Sequence, residues 1–444
     1  MSARLIAVPL LAGALSPIAQ AGDFATDKAT NWHHWRGPNA DGTAPTANPP
    51  TKWDANTNIK WKVEMPGRGS ATPIVWGDRV FVLTAIKTDR KATAAELPKP
   101  DPRFERKTEP PIHFYKLVVL CFDRHTGKPL WEKVATEKVP HEGHHNSHSY
   151  AAGSPTTDGK RLYVSFGSFG NFCYDFDGNL LWERDLGRIN SRLGWGEAVT
   201  PVVHGDVLLL NWDQEADSAL HCLDAATGKP RWTAKRDEKT SWNTPLVVEY
   251  GGKTQVVTNG TTSIRSHDLA SGEVLWECGG MTVNPIPSPL RYGDDAIVMS
   301  GYRGAAAVSV PLGSKGDLGK DGKVTWRTSP GTPYVASPAL VGDRLYFTSG
   351  LDNFLTILDA KSGKPVVDKE RLPQTKSFYA SPIAAAGRVY FVDRDGTTVV
   401  LKAGDAVEVL AVNKLDDKID ASPVAVGKAL YLRGEKILYC VEEK

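Results

Sequence analysis

The sequence has no excess of charge of either sign. Its 53 Lys and Arg face 51 Asp and Glu, a formal net charge of +2. Nothing in that balance suits a nucleic-acid backbone or a strongly anionic membrane, so neither is expected as a partner. Cysteine is scarce, with five in 444 residues, an odd number and no two adjacent. That argues against a disulfide scaffold even for an exported chain. Long apolar runs are also missing, so no membrane span is expected. One shorter run, Leu5 to Leu15, follows Arg4 and precedes the small residues of Ala19-Gln20-Ala21. It reads as a signal peptide (1–21) cut after Ala21, which places the mature chain in the periplasm or outside the cell. No cysteine lies near the cut, so no lipid anchor is expected. An arm (22–58) and a repetitive body (59–444) remain.

What the sequence does contain is a repeat. A small residue before proline opens a β-rich run at Thr72-Pro73, Ser154-Pro155, Thr200-Pro201, Thr244-Pro245, Ser288-Pro289, Ser337-Pro338, Ser381-Pro382 and Ser422-Pro423. Apart from one enlarged interval the anchors recur about every 44 residues, the period of a four-stranded propeller blade. Each unit has a short strand, a Gly turn, an alternating strand, and a third strand ending in Asp. A tight turn and a fourth strand follow, often with Trp, as in CFDRHTGKPLWEK and CLDAATGKPRWTA. Period-two alternation excludes a helical solenoid. The last unit stops after three strands, while IKWKVE (59–64) precedes the first anchor with Trp61 at the Trp position. The expected fold is therefore an all-β, eight-bladed propeller of antiparallel blades, closed by an N-terminal strand in the last blade. One closed ring of this kind is expected to be a monomer. Cys121, Cys173, Cys222 and Cys440 share one register of the repeat, so they are expected as buried, unpaired thiols.

The D-x-x-T-G-x-x-x-W turns resemble the tryptophan-docking repeats of the quinoprotein alcohol dehydrogenase-like superfamily. WHHWRGPNADG, HEGHHNSHSYAAGSPTTDG and WECGGMTVNPIPSP look like exported PQQ-binding-like repeat proteins of environmental bacteria, with a more distant likeness to BamB-type propellers. The resemblance implies the fold. It spans dehydrogenases and non-enzymatic assembly proteins, so it implies no single activity. The superfamily's dehydrogenases hold PQQ beside calcium and typically carry adjacent cysteines, which are absent here.

Residues 141–148 contain four histidines, and His141-Glu142-Gly143-His144-His145 matches H-E-x-x-H. A zinc protease needs that motif on a helix. Pro140, Gly143 and Pro155 oppose one, so a loop and no metal are expected. A looser site on His141, His144, His145 and His148 is the metal alternative. In a four-stranded meander the connections between blades gather at one channel mouth. They bring Arg68, His144, His145, His148, Trp195, Glu197, Trp242, Asn243, Asn284, Tyr334, Tyr379 and Asp420 there as a candidate ligand-binding set, together with Phe378. An insertion (87–113) is expected as a long loop on that face, and another (313–323) on the opposite face. The Trp pair of WHHWRGPNADG is expected to dock the arm. The expected function is non-catalytic binding of a protein, glycan or small ligand, with no cofactor and no assigned catalytic residue. The alternatives are a PQQ-dependent oxidoreductase, in which Glu197, Asn284 and Asp420 surround calcium, and a polysaccharide-degrading propeller enzyme.

Overall fold

A computed structural model describes residues 23–99, 101–319 and 322–443. The expected signal peptide lies outside them. Eight antiparallel sheets of four strands form the blades of a propeller. Blade 1 is built from Ile74–Trp76, Arg79–Lys91, His113–Asp123 and Pro129–Lys138. The expected closure is present. Ile59–Glu64 runs antiparallel to Ile437–Val441 and completes blade 8. Two sheets carry an extra strand: Thr43–Ala44 of the arm joins blade 7, and Gly316–Asp317 of the second insertion joins blade 4. No helix among the described residues is long and apolar enough to cross a membrane.

The anchors are hydroxyl residues for a structural reason. The Thr72 amide donates to Ser154 Oγ, Ser154 to Thr200 Oγ1, and Thr244 to Ser288 Oγ. Ser288 donates to Ser337 Oγ, Ser337 to Ser381 Oγ, Ser381 to Ser422 Oγ, and Ser422 to Thr72 Oγ1. Seven of the eight anchors thus satisfy the amide of a neighbour, and the chain of bonds runs around the channel from Thr244 to Thr200, while Thr244 Oγ1 accepts from the Trp35 indole instead. The proline that follows fixes the entry into the innermost strand.

Adjacent blades are joined by tryptophan. The indoles of Trp61, Trp131, Trp182, Trp232 and Trp326 donate to the carbonyls of Arg124, Phe176, Ala225, Leu269 and Ala360 in the next blade. Trp276 is different, bonding to Gln255 within its own blade. Across the strand pair each of these rings has a small partner: Cys440 faces Trp61, Cys121 Trp131, Cys173 Trp182, and Cys222 Trp232. Ser266 and Ser309 do the same for Trp276 and Trp326. The register of the cysteines therefore reflects the room a facing indole needs. All five cysteines are buried and free, and burial pushes Cys121, Cys173, Cys222 and Cys440 up to about 12, leaving inert thiols.

The turn glycines face the same rings. A Cβ on Gly228 would sit 2.6 Å from Trp182, at φ +66. Gly205 has a similar φ of +57 with nothing near it. Both lose the left-handed freedom on mutation to alanine, but only Gly228→Ala also displaces an indole. Gly205→Ala is expected to cost about 1 kcal/mol and Gly228→Ala about 2–3 kcal/mol, measured by urea midpoints. Equal losses would mean that the ring contact carries no weight.

Candidate functional site

The channel is open at the expected mouth and closed from below. The arm enters beside the inner strand of blade 1, where Trp32 and Val75 exchange backbone bonds, and Thr157 donates to the His33 carbonyl. It leaves across blades 6 and 7, where Leu340 and Ala384 donate to Asp41 and Gly42. Between them Arg36, 1% exposed, donates to the carbonyls of Pro338 and Pro382, the latter at 3.0 Å. Trp32 is fully buried, the docking role expected of the pair. Trp35 differs: its indole donates to Thr244 Oγ1 at 3.1 Å and its ring faces the cavity above. The sequence placed this residue before the propeller. Only the path of the arm through the ring shows it as a floor.

Above Trp35 lies a cavity of about 400 Å³. Of the expected set, His145, His148, Trp195, Trp242, Tyr334, Tyr379 and Asp420 line it. Trp195 stands edge-on to Tyr302, centroids 6.4 Å apart, and Tyr302 stacks on Tyr334 at 4.7 Å. The Trp242 indole is fixed by donating to the Gly196 carbonyl at 2.8 Å. Tyr379 carries the Arg394 guanidinium 3.8 Å from its ring centre and shares a 3.1 Å hydroxyl bond with Ser147. Ser147 is also 2.6 Å from His145 Nδ1. Burial holds His148 down at about 4 and pushes the Tyr334 phenol up to about 12. Both are therefore neutral hydrogen-bonding groups at pH 7. Ile286, Val335 and Leu351 add apolar wall, and anchor hydroxyls such as Thr72, Ser381 and Ser422 add polar edge.

Six of the expected residues lie elsewhere, each for a local reason. Asn243 is buried between Ser241 and the Asn259 carbonyl, where it ties backbone together. Asn284, also buried, takes a positive φ of 57 in its connection. His144 packs edge-on against Tyr150, 4.6 Å between ring centres. Arg68 reaches Glu435 at 3.4 Å and the Asn146 carbonyl, beside the cavity. Glu197 turns inward and accepts from the Ser168 amide. Phe378 is in the core, 1% exposed. Sequence reasoning missed Trp35, Tyr302 and Leu351. The last two sit on connections between second and third strands, which share this face, so the topology contained the signal.

The histidine segment is a loop without helix. His141 is buried with Nε2 2.8 Å from the Ile189 carbonyl, whereas His145 is exposed beside Trp195. The two ends of the H-E-x-x-H match therefore face different surroundings. Ligating atoms of His141, Glu142 and Glu197 do lie within 4.8 Å of one another. All three are engaged: His141 with Ile189, Glu142 with Ser191, Glu197 with Ser168. Burial lowers His141 to about 4 and raises Glu142 to about 7 and Glu197 to about 8, the last also through the charge of Glu142. His141 and Glu197, 3.8 Å apart, therefore share no strong ion pair.

The first insertion is partly strand, because Arg79–Lys91 and His113–Asp123 extend the hairpin of blade 1 beyond the other blades. Its tip docks where expected, beside the histidine loop. Lys107 donates to the Leu193 carbonyl at 2.9 Å, and a Cβ on Gly143 would meet the Glu109 carbonyl at 2.6 Å.

Calcium beside a quinone needs carboxylate and amide oxygens converging on one point. Glu197 lies with His141 and Glu142, Asn284 is buried in its own connection, and Asp420 is bound by Arg394 at 2.7 Å and Lys418 at 3.3 Å. These residues do not form that set.

A closed ring of eight blades, with an aromatic-walled cavity at one mouth and a plug at the other, defines the class as PQQ-like β-propellers. Within it, the family described as outer membrane protein assembly factor BamB matches residues 173–317 and 316–433, more than half of the chain, and the chain belongs to that family. The outer membrane protein assembly factor BamB of Yersinia pestis is 22% identical over 318 residues, spanning 70% of this chain and only 65% of that protein's length. BamB from Moraxella catarrhalis superposes with a TM-score of 0.54 at 13% identity, over 81% of this chain and 100% of that one. A quinohemoprotein alcohol dehydrogenase from Comamonas testosteroni gives 0.62 at 11%, over 96% and 83%. A europium-containing methanol dehydrogenase gives 0.60 at 13%, over 91% and 89%. At such identities the structures share a fold and nothing finer.

Proposed function

We propose that the protein is an exported, non-catalytic propeller that binds a ring-bearing ligand, such as a sugar or planar aromatic, in the cavity above Trp35. The observation that carries this reading is the aromatic lining: Trp35, Trp195, Trp242, Tyr302, Tyr334 and Tyr379 surround one space of about 400 Å³. Rings of this kind offer stacking area at little entropic cost, and the volume suits a small molecule. The polar groups support binding over proton transfer. Asp420 is held in ion pairs, and His148 is neutral and bonded to Ser149. In this reading the mature chain acts as a monomer in the periplasm or outside the cell, after cleavage at Ala21, with neither PQQ nor metal.

Titration of aryl glycosides against indole fluorescence tests it. Trp195→Ala is expected to weaken binding at least tenfold without changing the thermal midpoint. Lys315→Ala, exposed on the opposite face, is expected to leave binding unchanged. Undiminished binding by Trp195→Ala would remove the cavity from consideration. PQQ with calcium is expected to leave alcohol oxidation at background. Family membership favours a second reading, in which a side chain of a protein partner fills the cavity. Trp195→Ala would then abolish co-purification of an envelope protein, while aryl glycosides fail to bind the wild type.

A further inference from the structure

Beside the cavity, between blades 8 and 1, is a gap of about 20 Å³. Ser70, Ser147, His148 and Asp420 line both spaces, so the gap adjoins the cavity. Its far wall is Arg433, the last residue of the strand Ala429–Arg433. Arg433 is 1% exposed, and its Nη1 donates to the Gly434 carbonyl. Its Nε and Nη2 are buried without a hydrogen-bond partner. Burial lowers the guanidinium to about 10, partly offset by the charges of Asp417 and Glu435, so it remains a cation at neutral pH.

The nearby carboxylates are already committed. Asp417 accepts the backbone amides of Lys436 and Ile437, Glu435 pairs with Arg68, and Asp420 is shared by Arg394 and Lys418. Further out on the same side, Lys376 pairs with Asp395, and Asp393 accepts the amides of Lys376 and Ser377. A buried cation without a full set of acceptors is costly, by several kcal/mol, and two guanidinium N–H groups suit the two oxygens of a carboxylate. A single water needs roughly 10–15 Å³ of such space. The gap therefore has room for one to two groups of water size, the scale of a carboxylate's oxygens.

We propose that this gap is an anion subsite of the cavity, and that the ligand carries a carboxylate on or next to its ring, with Arg433 as counter-charge. This deepens the cavity reading and rests on it. The position of the gap then sets the orientation as well as the class: the ring lies among Trp195, Tyr302 and Tyr334, and the acid points between Ser70 and His148 toward blade 8. A neutral ligand of the same shape leaves Arg433 unsatisfied and loses affinity, because the site was built to be completed by an acceptor.

The test uses the full chain and two probes that differ only at the acid, 4-methylumbelliferyl β-glucuronide and 4-methylumbelliferyl β-glucoside. Wild type is expected to bind the glucuronide at least tenfold more tightly. Arg433→Gln is expected to bind both alike, at the glucoside level, and Trp195→Ala to lose both. A measurement on wild type alone covers failure of Arg433→Gln to fold: acetate, and not acetamide, is expected to weaken glucuronide binding while leaving glucoside binding unchanged. Equal affinity of wild type for the two probes, or no effect of acetate, overturns the subsite and leaves the cavity reading standing. Failure of wild type to bind either probe overturns both.

Discussion

A chain lacking residues 23–64 is expected to show no cooperative thermal transition. The deletion removes the fourth strand of blade 8, exposing the edge of Ile437–Val441 over five residue pairs or more, where a partner chain can add. It also removes Trp61, whose indole bonds to Arg124 of blade 1 and whose ring packs 5.9 Å from Tyr431. Gly127, against the Trp61 face, is left facing a void. The arm carries two further buried rings, Trp32 and Trp53, and Arg36 within the channel. Loss of one buried tryptophan costs roughly 3–5 kcal/mol. Three together match the roughly 5–15 kcal/mol that holds a typical domain folded. Differential scanning calorimetry of the truncated and full chains reads the outcome directly. A midpoint within a few degrees of the full chain would show that seven and three-quarter blades close without this strand.

Stability is expected to peak near pH 6.5 and fall on both sides, by opposite mechanisms. Burial holds His33 and His34 at about 3 and His141, His148, His221 and His267 at about 4. Free histidine titrates near 6.5, so between about pH 4 and 6.5 the unfolded chain binds more protons and folding weakens as pH falls. The buried carboxyls act in reverse. Glu142 at about 7 and Glu197 at about 8 bind protons in the folded state that the unfolded chain has released. Their contribution is complete below the unfolded value near 4.3 and is lost as pH rises through the folded values. Glu238 shifts in the same direction, by burial. In the overlap below 6.5 the six histidines outweigh the carboxyls, and above it the carboxyls act alone. Thermal midpoints from pH 4 to 9 should trace this dome, and Glu197→Gln should flatten its alkaline side and melt above wild type at pH 8.5. A wild-type midpoint that stays level from pH 6.5 to 8.5 would show that Glu142 and Glu197 ionise freely in place.

Closure by Ile59–Glu64 was legible because a truncated last repeat and an orphan Trp-bearing strand can satisfy each other only in a ring. Half of the site was legible for the same reason. Trp195, Trp242, Tyr334, Tyr379 and Asp420 stand on connections that the meander must bring to one mouth. Side-chain direction was not legible. Glu197 is two residues from Trp195, yet one turns to Ser168 and the other to the cavity, and no periodicity governs an irregular connection.

The sequence by itself determined the number of blades, their strand order, the closure and the face on which the connections gather. Those follow from a period of about 44 residues and from alternation within each strand, both local properties repeated along the chain. Only the tertiary structure decided that Trp35 is the floor of the cavity, that Arg36 is fixed to blades 6 and 7, and that Arg433 keeps Nε and Nη2 without a partner beside Ser70 and His148. Those placements join residues hundreds of positions apart. They depend on where an aperiodic arm threads a closed ring, and on which buried polar groups find partners once every blade is in place.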